Sequence, residues 1–469
     1  MYHNNNGLGH IKKIILFTVF FIIVFGFNCL SIMAEELSFK QALEKMYNVN
    51  ESLKASKSGV DKSEYEKKAA QGLYFPKLWM DGKHTYIDDD INIDLNDIRT
   101  VIGTLHGINP SILPSFESKV QSSHFSNADI NFSWMIFTGG KITAANKAAD
   151  AYVLENKEQL LYTKSILTTE LAERYYGYIL SMEAVKVYRQ VLEGIEQHLN
   201  QAKKLEKSGM LAKSERLHAE VAYADALRQY KKSVRKTQIV QAGLKNTLSS
   251  EETITPVSNL FLTQKIKSLE EYIEDARNNN HLLKKIAAKK EQAIQSVIAQ
   301  KSAHMPKVYL FGTYELYQDD LTLLEPEWAA GVGVNLSIFE GFSDTHKIMA
   351  AKKLKEQIRY FEEKAKRDID TLVEKIHNEL MMEIEQFEAL KTSMEFANEN
   401  VSVRKRAFKA GMATSLSVVD AQLALSKVKI EKLNAVYEFD VALAKLLEVC
   451  GLSEQYESYQ NYNDVEVQF

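Results

Sequence analysis

The stretch LAERYYGYILSMEAVKVYRQVLEGIEQHL, residues 171–199, decides the architecture. Leu171, Tyr178, Val185, Leu192 and Leu199 recur in it at steps of seven, with Tyr188 and Ile195 beside the seam. A strict seven-residue apolar repeat keeps one stripe of a helix against a partner only if the helices supercoil left-handedly. The stretch therefore reads as coiled coil. Working outward, nothing stops the helix for a long way. The six prolines stand at 76, 110, 114, 256, 306 and 326, with none between 115 and 255 or after 326. A proline inside a helix costs about 3 kcal/mol, so its absence permits helices of unusual length. A helix over 141–207 would run roughly 100 Å at 1.5 Å per residue.

The chain also repeats itself. At a shift of 230 residues, Ser38 meets Ser268, Asn50 meets Asn280, Leu53 meets Leu283 and Pro76 meets Pro306. At a shift of 202, Phe137 meets Phe339, Gly139 meets Gly341, Gly209 meets Gly411, Met210 meets Met412 and Leu244 meets Leu446. The difference between the shifts places a longer loop, about Asp88 to Ser123, in the first copy. Each copy reads as a helix of about 36 residues, two strands, a long helix, a glycine turn and a shorter helix. The boundaries expected are a leader over 1–34, repeats over 35–248 and 268–450, an equatorial insert at 249–267 that bulges at the join, and an equatorial tail over 451–469.

Between the helices the period changes to two. Ala128, Ile130, Phe132, Trp134 and Ile136 alternate with Asp129, Asn131 and Ser133; Trp328, Ala330, Val332, Val334, Leu336 and Ile338 alternate with Gly331, Gly333, Asn335 and Ser337. Alternation of this kind is the signature of a strand with two unlike faces. The partner strands are placed at about Leu78 to Ile87 and Val308 to Tyr317, near ten residues each, the length that crosses a bilayer when tilted. Trp79, Trp134 and Trp328 all fall in these strands, as membrane-interface aromatics do. A soluble sheet packed on a helix would alternate equally well, but would not accompany an export leader. Four strands cannot close a membrane barrel, whose smallest form has about eight, and an open edge is not tolerated in lipid. More than one copy is therefore required.

The N-terminus supplies the leader: Lys12 and Lys13, an apolar run from Ile14 to Phe27, and Ala34 as cleavage residue. An uncleaved anchor competes with this reading, and so does lipidation of Cys29, although Gly26, Phe27 and Asn28 do not fit a lipobox. Cys450 is then the single remaining cysteine, which forms neither an intramolecular disulfide nor a thiolate cluster. With 58 basic and 62 acidic residues the chain has no field to recruit nucleic acid. No P-loop, dinucleotide fingerprint, nucleophile elbow or HExxH appears. Asp88, Asp89 and Asp90 lack the spacing and glycine of an EF-hand loop and read as a solvated loop. Catalytic residues, metal ligands and cofactors are therefore not expected.

Several motifs carry a family resemblance. LSFKQALEKMYNVNESLKAS at 37–56, GLYFPKL at 72–78, FTGGK at 137–141 and FEGFS at 339–343 resemble the TolC-like outer membrane efflux proteins. So do EKSGMLAKSERLHAE at 206–220 and FKAGMATSLSVVDAQ at 408–422, which match the family's two helical tips. No one motif is specific; their order, spacing and duplication are, from about Leu37 to Leu447. The resemblance implies an α+β membrane protein, internally duplicated, with four barrel strands per chain and a long coiled-coil tunnel. It implies a homotrimer with a 12-stranded barrel and a 12-helix tunnel, in the outer membrane and extending into the periplasm. Its partners would be a periplasmic adaptor, an inner-membrane transporter and outer-membrane lipid. The adaptor would dock at Gly209, Met210, Leu211, Gly411, Met412 and Ala413. Where the family often carries two acidic gate residues, this chain has Ser417 and Asp420, with Glu215 and His218 in the first copy, which puts a double acidic ring in doubt. The competing reading is a coiled-coil outer-membrane structural or adhesive protein without a pore.

Overall fold

The computed structural model describes residues 35–319 and 326–461. The expected leader over 1–34, with Cys29, lies outside them, as does the end of the expected tail. The described chain divides into two compact units. One holds Lys57–Gln159 with Leu282–Ala365; the other holds the remaining described residues.

Helices dominate. The heptad stretch lies inside α4, Lys141–Lys207, a single helix of 67 residues. Leu171, Tyr178 and Leu199 are buried along it and Val185 and Leu192 half-buried, so no seam position faces solvent. Its counterpart α8, Ser343–Lys409, also has 67 residues. Each is followed by a helix of 35: α5, Lys213–Thr247, and α9, Ser415–Val449.

The two helices expected to span about 36 residues are each broken once. The first becomes α1, Phe39–Val49, and α2, Glu51–Gly72; the second becomes α6, Leu269–Asn279, and α7, His281–Lys301. The breaks fall at Asn50 and Asn280, the aligned asparagines, whose backbones turn extended at ψ 123 and 122. The cause is competition: an asparagine side chain offers the backbone a partner other than the helix. Asn50 Oδ1 accepts from Leu53 N at 3.1 Å, and Asn280 Nδ2 donates to Val449 O at 2.8 Å. Both α1 and α6 open on a capping box, Ser38 with Gln41 and Ser268 with Glu271, which satisfies two orphan N–H groups reciprocally.

Four strands form one antiparallel sheet: β2 (Lys77–Tyr86), β5 (His124–Phe137), β7 (Lys307–Asp319) and β8 (Trp328–Asn335), in the order β2-β5-β7-β8. The last strand ends at Asn335, before Leu336 and Ile338, which were expected within it. Gly331 and Gly333 lie under aromatic rings of β7. A Cβ on Gly333 would come within 2.3 Å of the Tyr309 ring, and one on Gly331 within 2.8 Å of the Phe311 ring. The expected loop of 88–123 has structure of its own. It holds β3 (Ile91–Asp94), α3 (Asn96–Leu105) and β4 (Glu117–Gln121), with β3 and β4 paired antiparallel.

In the other unit, β1 (Glu35–Leu37) pairs in parallel with β6 (Ile254–Pro256). The insert of 249–267 is anchored by this pair and by Leu260, Phe261 and Leu262, all buried. Around it gathers an aromatic core. Phe39 lies 5.6, 5.4 and 5.1 Å from the rings of Tyr175, Tyr176 and Tyr456. The Tyr175 hydroxyl donates to Leu37 O at 2.6 Å and accepts from Ser258 N at 3.1 Å, tying strand to insert.

Candidate functional site

The sheet presents two chemically opposite faces, set by its register. Met80, Ile130, Tyr314 and Trp328 stand in one row, and Leu78, Phe132, Gly312 and Ala330 in the next. Leu78, Met80, Trp328, Val332 and Val334 on this face are exposed. The opposite face is polar over two rows and carries Met135, Tyr309 and Phe311 nearer the helices. Asp81, Asp129 and Glu315 form one row and Trp79, Asn131 and Thr313 the next. Asn131 Nδ2 donates to Asp81 Oδ2 at 2.9 Å and to Asp129 Oδ2 at 2.6 Å. Thr313 Oγ1 donates to Asn131 Oδ1 at 2.9 Å. Bare aliphatics exposed on one side and a carboxylate–amide network on the other fit lipid outside and water inside.

The three tryptophans divide between these faces. Trp134 and Trp328 share the apolar face, and Trp134 Nε1 donates to Tyr74 O at 2.8 Å. Trp79 stands on the polar face, where its Nε1 donates to Asp81 Oδ2 at 2.8 Å. The period-two pattern contained this difference, since Trp79 falls one step out of phase with Leu78 and Met80.

The helical turns after α4 and α8 have the same construction. Met210 N donates to Leu205 O and Gly209 N to Glu206 O; Met412 N donates to Ala407 O and Gly411 N to Phe408 O. These are Schellman closures, which require a left-handed residue at the penultimate position. Gly209 and Gly411 supply it at φ +77° and +72°. Beneath the turns Leu199, Ala202, Ala219, Phe408 and Val418 form an apolar cluster, against which Leu211 and Ala413 pack. Only the methionines of the six tip positions project as large apolar groups, Met210 at 70% and Met412 at 79% exposure.

The four positions aligned with a gate are not gathered into one cluster. The Glu215 carboxylate accepts from Ser415 N at 2.7 Å, capping α9 across the tip. Ser417 closes the same helix start, its N–H donating to Thr414 Oγ1 at 3.3 Å and its hydroxyl to Thr414 O at 2.7 Å. His218 and Asp420 are exposed and share a groove of about 390 Å³ with Val221, Leu416, Val419 and Leu423.

Two further residues escaped the sequence reading. His198 is buried within the tip, its Nε2 2.5 Å from Ser415 Oγ and its ring 4.5 Å from that of Phe408. Asp440 is buried in the aromatic core, where its Oδ2 accepts from Phe261 N at 3.4 Å and its Oδ1 has no hydrogen-bond partner among the described residues. Burial pushes the Asp440 carboxyl well above the usual carboxylate range. Neither sits in a recognisable motif. A helix-period pattern marks both positions as core, and only their polarity there is unusual.

Asp90, of the three loop aspartates, is engaged within its own insert. It pairs with Lys119 at 2.7 Å and accepts from Ser123 N at 2.6 Å, and these partners hold its carboxyl at about 2. Among the described residues no group of three His, Cys, Asp or Glu is placed to hold a metal ion. Cys450 is buried, with Sγ donating to Tyr272 O at 3.4 Å. No helix among the described residues is long and apolar enough to cross a membrane.

No curated protein matches the sequence significantly. Solved outer-membrane channels match the fold. A membrane protein from Pseudomonas aeruginosa superposes with a TM-score of 0.73 at 15% identity, covering 89% of this chain and 91% of that one. CusC, described by its transmembrane channel formation, gives 0.75 at 12% identity, covering 88% and 92%. The outer membrane protein VceC from Vibrio cholerae gives 0.70 at 14% identity, covering 88% and 96%. The family model "outer membrane efflux protein" matches residues 42–249 and again 272–452, most of the chain. The chain therefore belongs to the outer membrane efflux protein family, and is an outer-membrane efflux channel rather than an enzyme.

Proposed function

We propose that three copies of this chain form the exit duct of a tripartite export system. Each contributes four strands to a 12-stranded barrel and its long helices to a periplasmic tunnel. The two halves, 35–248 and 268–450, are duplicated copies of one unit, joined by an equatorial insert at 249–267 and followed by an equatorial tail. The observation that carries this reading is the sheet. It is amphipathic, and β2 and β8 stand at its two ends with one side unpaired in the single chain. Unpaired strand edges are excluded from lipid, and pairing β2 of one copy with β8 of the next satisfies both at once. The polar row of Asp81, Asp129 and Glu315 would then line an aqueous lumen, which a non-pore structural or adhesive protein does not need.

The tips would receive a periplasmic adaptor that links the duct to an inner-membrane transporter. Met210 and Met412 offer flexible apolar contacts suited to such docking. Leu211 and Ala413 hold the turns from beneath, and Gly209 and Gly411 shape them. Trp134 and Trp328 would stand at the membrane interface, with Trp79 turned to the lumen. Asp420 is the gate carboxylate, with His218 in the same groove, while Glu215 and Ser417 hold the start of α9. Solution mass in mild detergent, followed by conductance in a planar bilayer, tests the reading. A trimer that conducts is expected; a monomer, or a trimer without conductance, rejects it.

A further inference from the structure

The insert between β2 and β5 turns an unusual face outward. On α3 the side chains of Ile98, Val101, Ile102 and Leu105 fall at i, i+3, i+4 and i+7, a single apolar stripe. A stripe of this kind ordinarily packs inward. Here all four are exposed, Leu105 at 76%. The helix instead sets its opposite face, Arg99 and Gly103, against the segment that follows it. Arg99 Nη1 donates to Leu113 O at 3.5 Å, and a Cβ on Gly103 would come within 2.9 Å of Ile108 O and of the Pro110 ring. Only glycine permits that approach, so the helix is fixed with its stripe outward. A contiguous exposed apolar patch of this kind marks an interaction surface.

The chain order places the patch. β2 begins just after α2 ends and β5 ends just before α4 begins, so the insert joins the strand ends remote from those helices. In an outer-membrane duct that end faces the cell exterior. A helix built to lie on lipid carries lysines and arginines on its polar side. The α3 helix has one arginine, Arg99, offset by Asp97, and 88–123 as a whole holds six acidic side chains against two basic ones. That composition does not suit an anionic bilayer surface. The helix itself is neutral, so identical copies can meet along it without net repulsion.

We infer that the α3 stripe of each copy seats on the stripes of its neighbours, forming a ring of contacts that narrows the outer mouth. This rests on the trimeric duct proposed above, which brings three identical inserts around one opening. The test is crosslinking of the purified full-length oligomer with a short bismaleimide, in a Leu105→Cys variant, with assembly measured first by solution mass. The native Cys450 is buried and does not compete. A crosslinked dimer band is expected from Leu105→Cys, one bridge using up the single thiol of each of two copies, and not from Thr100→Cys, which lies on the other flank of the helix. Ile102→Asp combined with Leu105→Asp should raise single-channel conductance. An intact trimer without crosslinked bands overturns the inference and leaves the duct standing. So does a Leu105→Cys thiol shielded from a water-soluble maleimide in anionic nanodiscs but not in detergent, which would assign the stripe to lipid. A monomer overturns the inference together with the trimer beneath it.

Discussion

His198 and Ser415, 217 residues apart in sequence, meet at 2.5 Å inside the helical tip. The contact joins α4 to the first turn of α9, and Glu215 of α5 caps that same turn from the other side. Burial, aided by the nearby Lys405 charge and opposed by Glu215, lowers the pKa of His198. A histidine whose folded pKa lies below its unfolded value of about 6.5 is charged more readily in the open state. Its contribution to stability is therefore full above that pH and is lost as pH falls through it. Amide protection at the tip, taken as exchange relative to the unstructured rate at each pH, should be weaker at pH 5.5 than at pH 7.5, and His198→Gln, which keeps a hydrogen-bonding side chain, should flatten the difference. Equal pH sensitivity in the variant would assign the effect to another group.

Asp440 titrates in the opposite sense. Its folded carboxyl holds a proton far above the unfolded value of about 3.9. Unfolding near neutral pH then releases that proton, and stability falls by about 1.4 kcal/mol per pH unit between the two pKa values. Asp440→Asn retains an acceptor for Phe261 N without a proton to lose. It should melt higher than wild type at pH 8, with the gap closing toward pH 5. A variant that melts lower at both pH values would show that the buried acid is needed for its shape alone.

The tip glycines should separate assembly from docking. A Cβ on Gly411 would meet nothing within 4 Å, so its positive φ is the only obstacle to substitution. That strain is about 1–2 kcal/mol, too little to dismantle a trimer held by strands and long helices. Gly411→Leu should distort the turn that presents Met412, abolish efflux and leave the oligomer intact by solution mass. Wild-type efflux from that variant would remove the docking role of the turn.

What the sequence made legible follows from periodicity. The seam from Leu171 to Leu199, the strands around Ile130 and Val332, and the positive φ at Gly209 and Gly411 each rest on a local rule that the three-dimensional context did not override. What it concealed depends on partners distant in the chain. Asn50 and Asn280 break their helices through side-chain bonds, and the matching of the two asparagines was visible while its consequence was not. The pairing of Glu35–Leu37 with Ile254–Pro256 joins segments too short to show a pattern. The four gate candidates, Ser417, Asp420, Glu215 and His218, came from the family resemblance. Their separation into a cap, at Glu215 and Ser417, and a groove, at His218 and Asp420, appeared only once both tips were folded together.

Asp420 carries the last prediction. It is exposed on α9, nine residues beyond Gly411, beside the apolar side chains of Leu416 and Leu423. In a trimeric tunnel narrowing toward its periplasmic end, three such carboxylates would face one another across the lumen. A ring of like negative charge attracts cations and offers multivalent ions a site that monovalent ones do not saturate. Purified channels should therefore prefer cations and be blocked by a trivalent cation added on the periplasmic side. Asp420→Ala should weaken both properties, whereas Glu215→Gln should spare them, because Glu215 is committed to Ser415 N and not to the groove. If Asp420→Ala changes neither the block nor the ion preference, the constriction lies at another level of the tunnel, and Asp420 is a solvated helix residue.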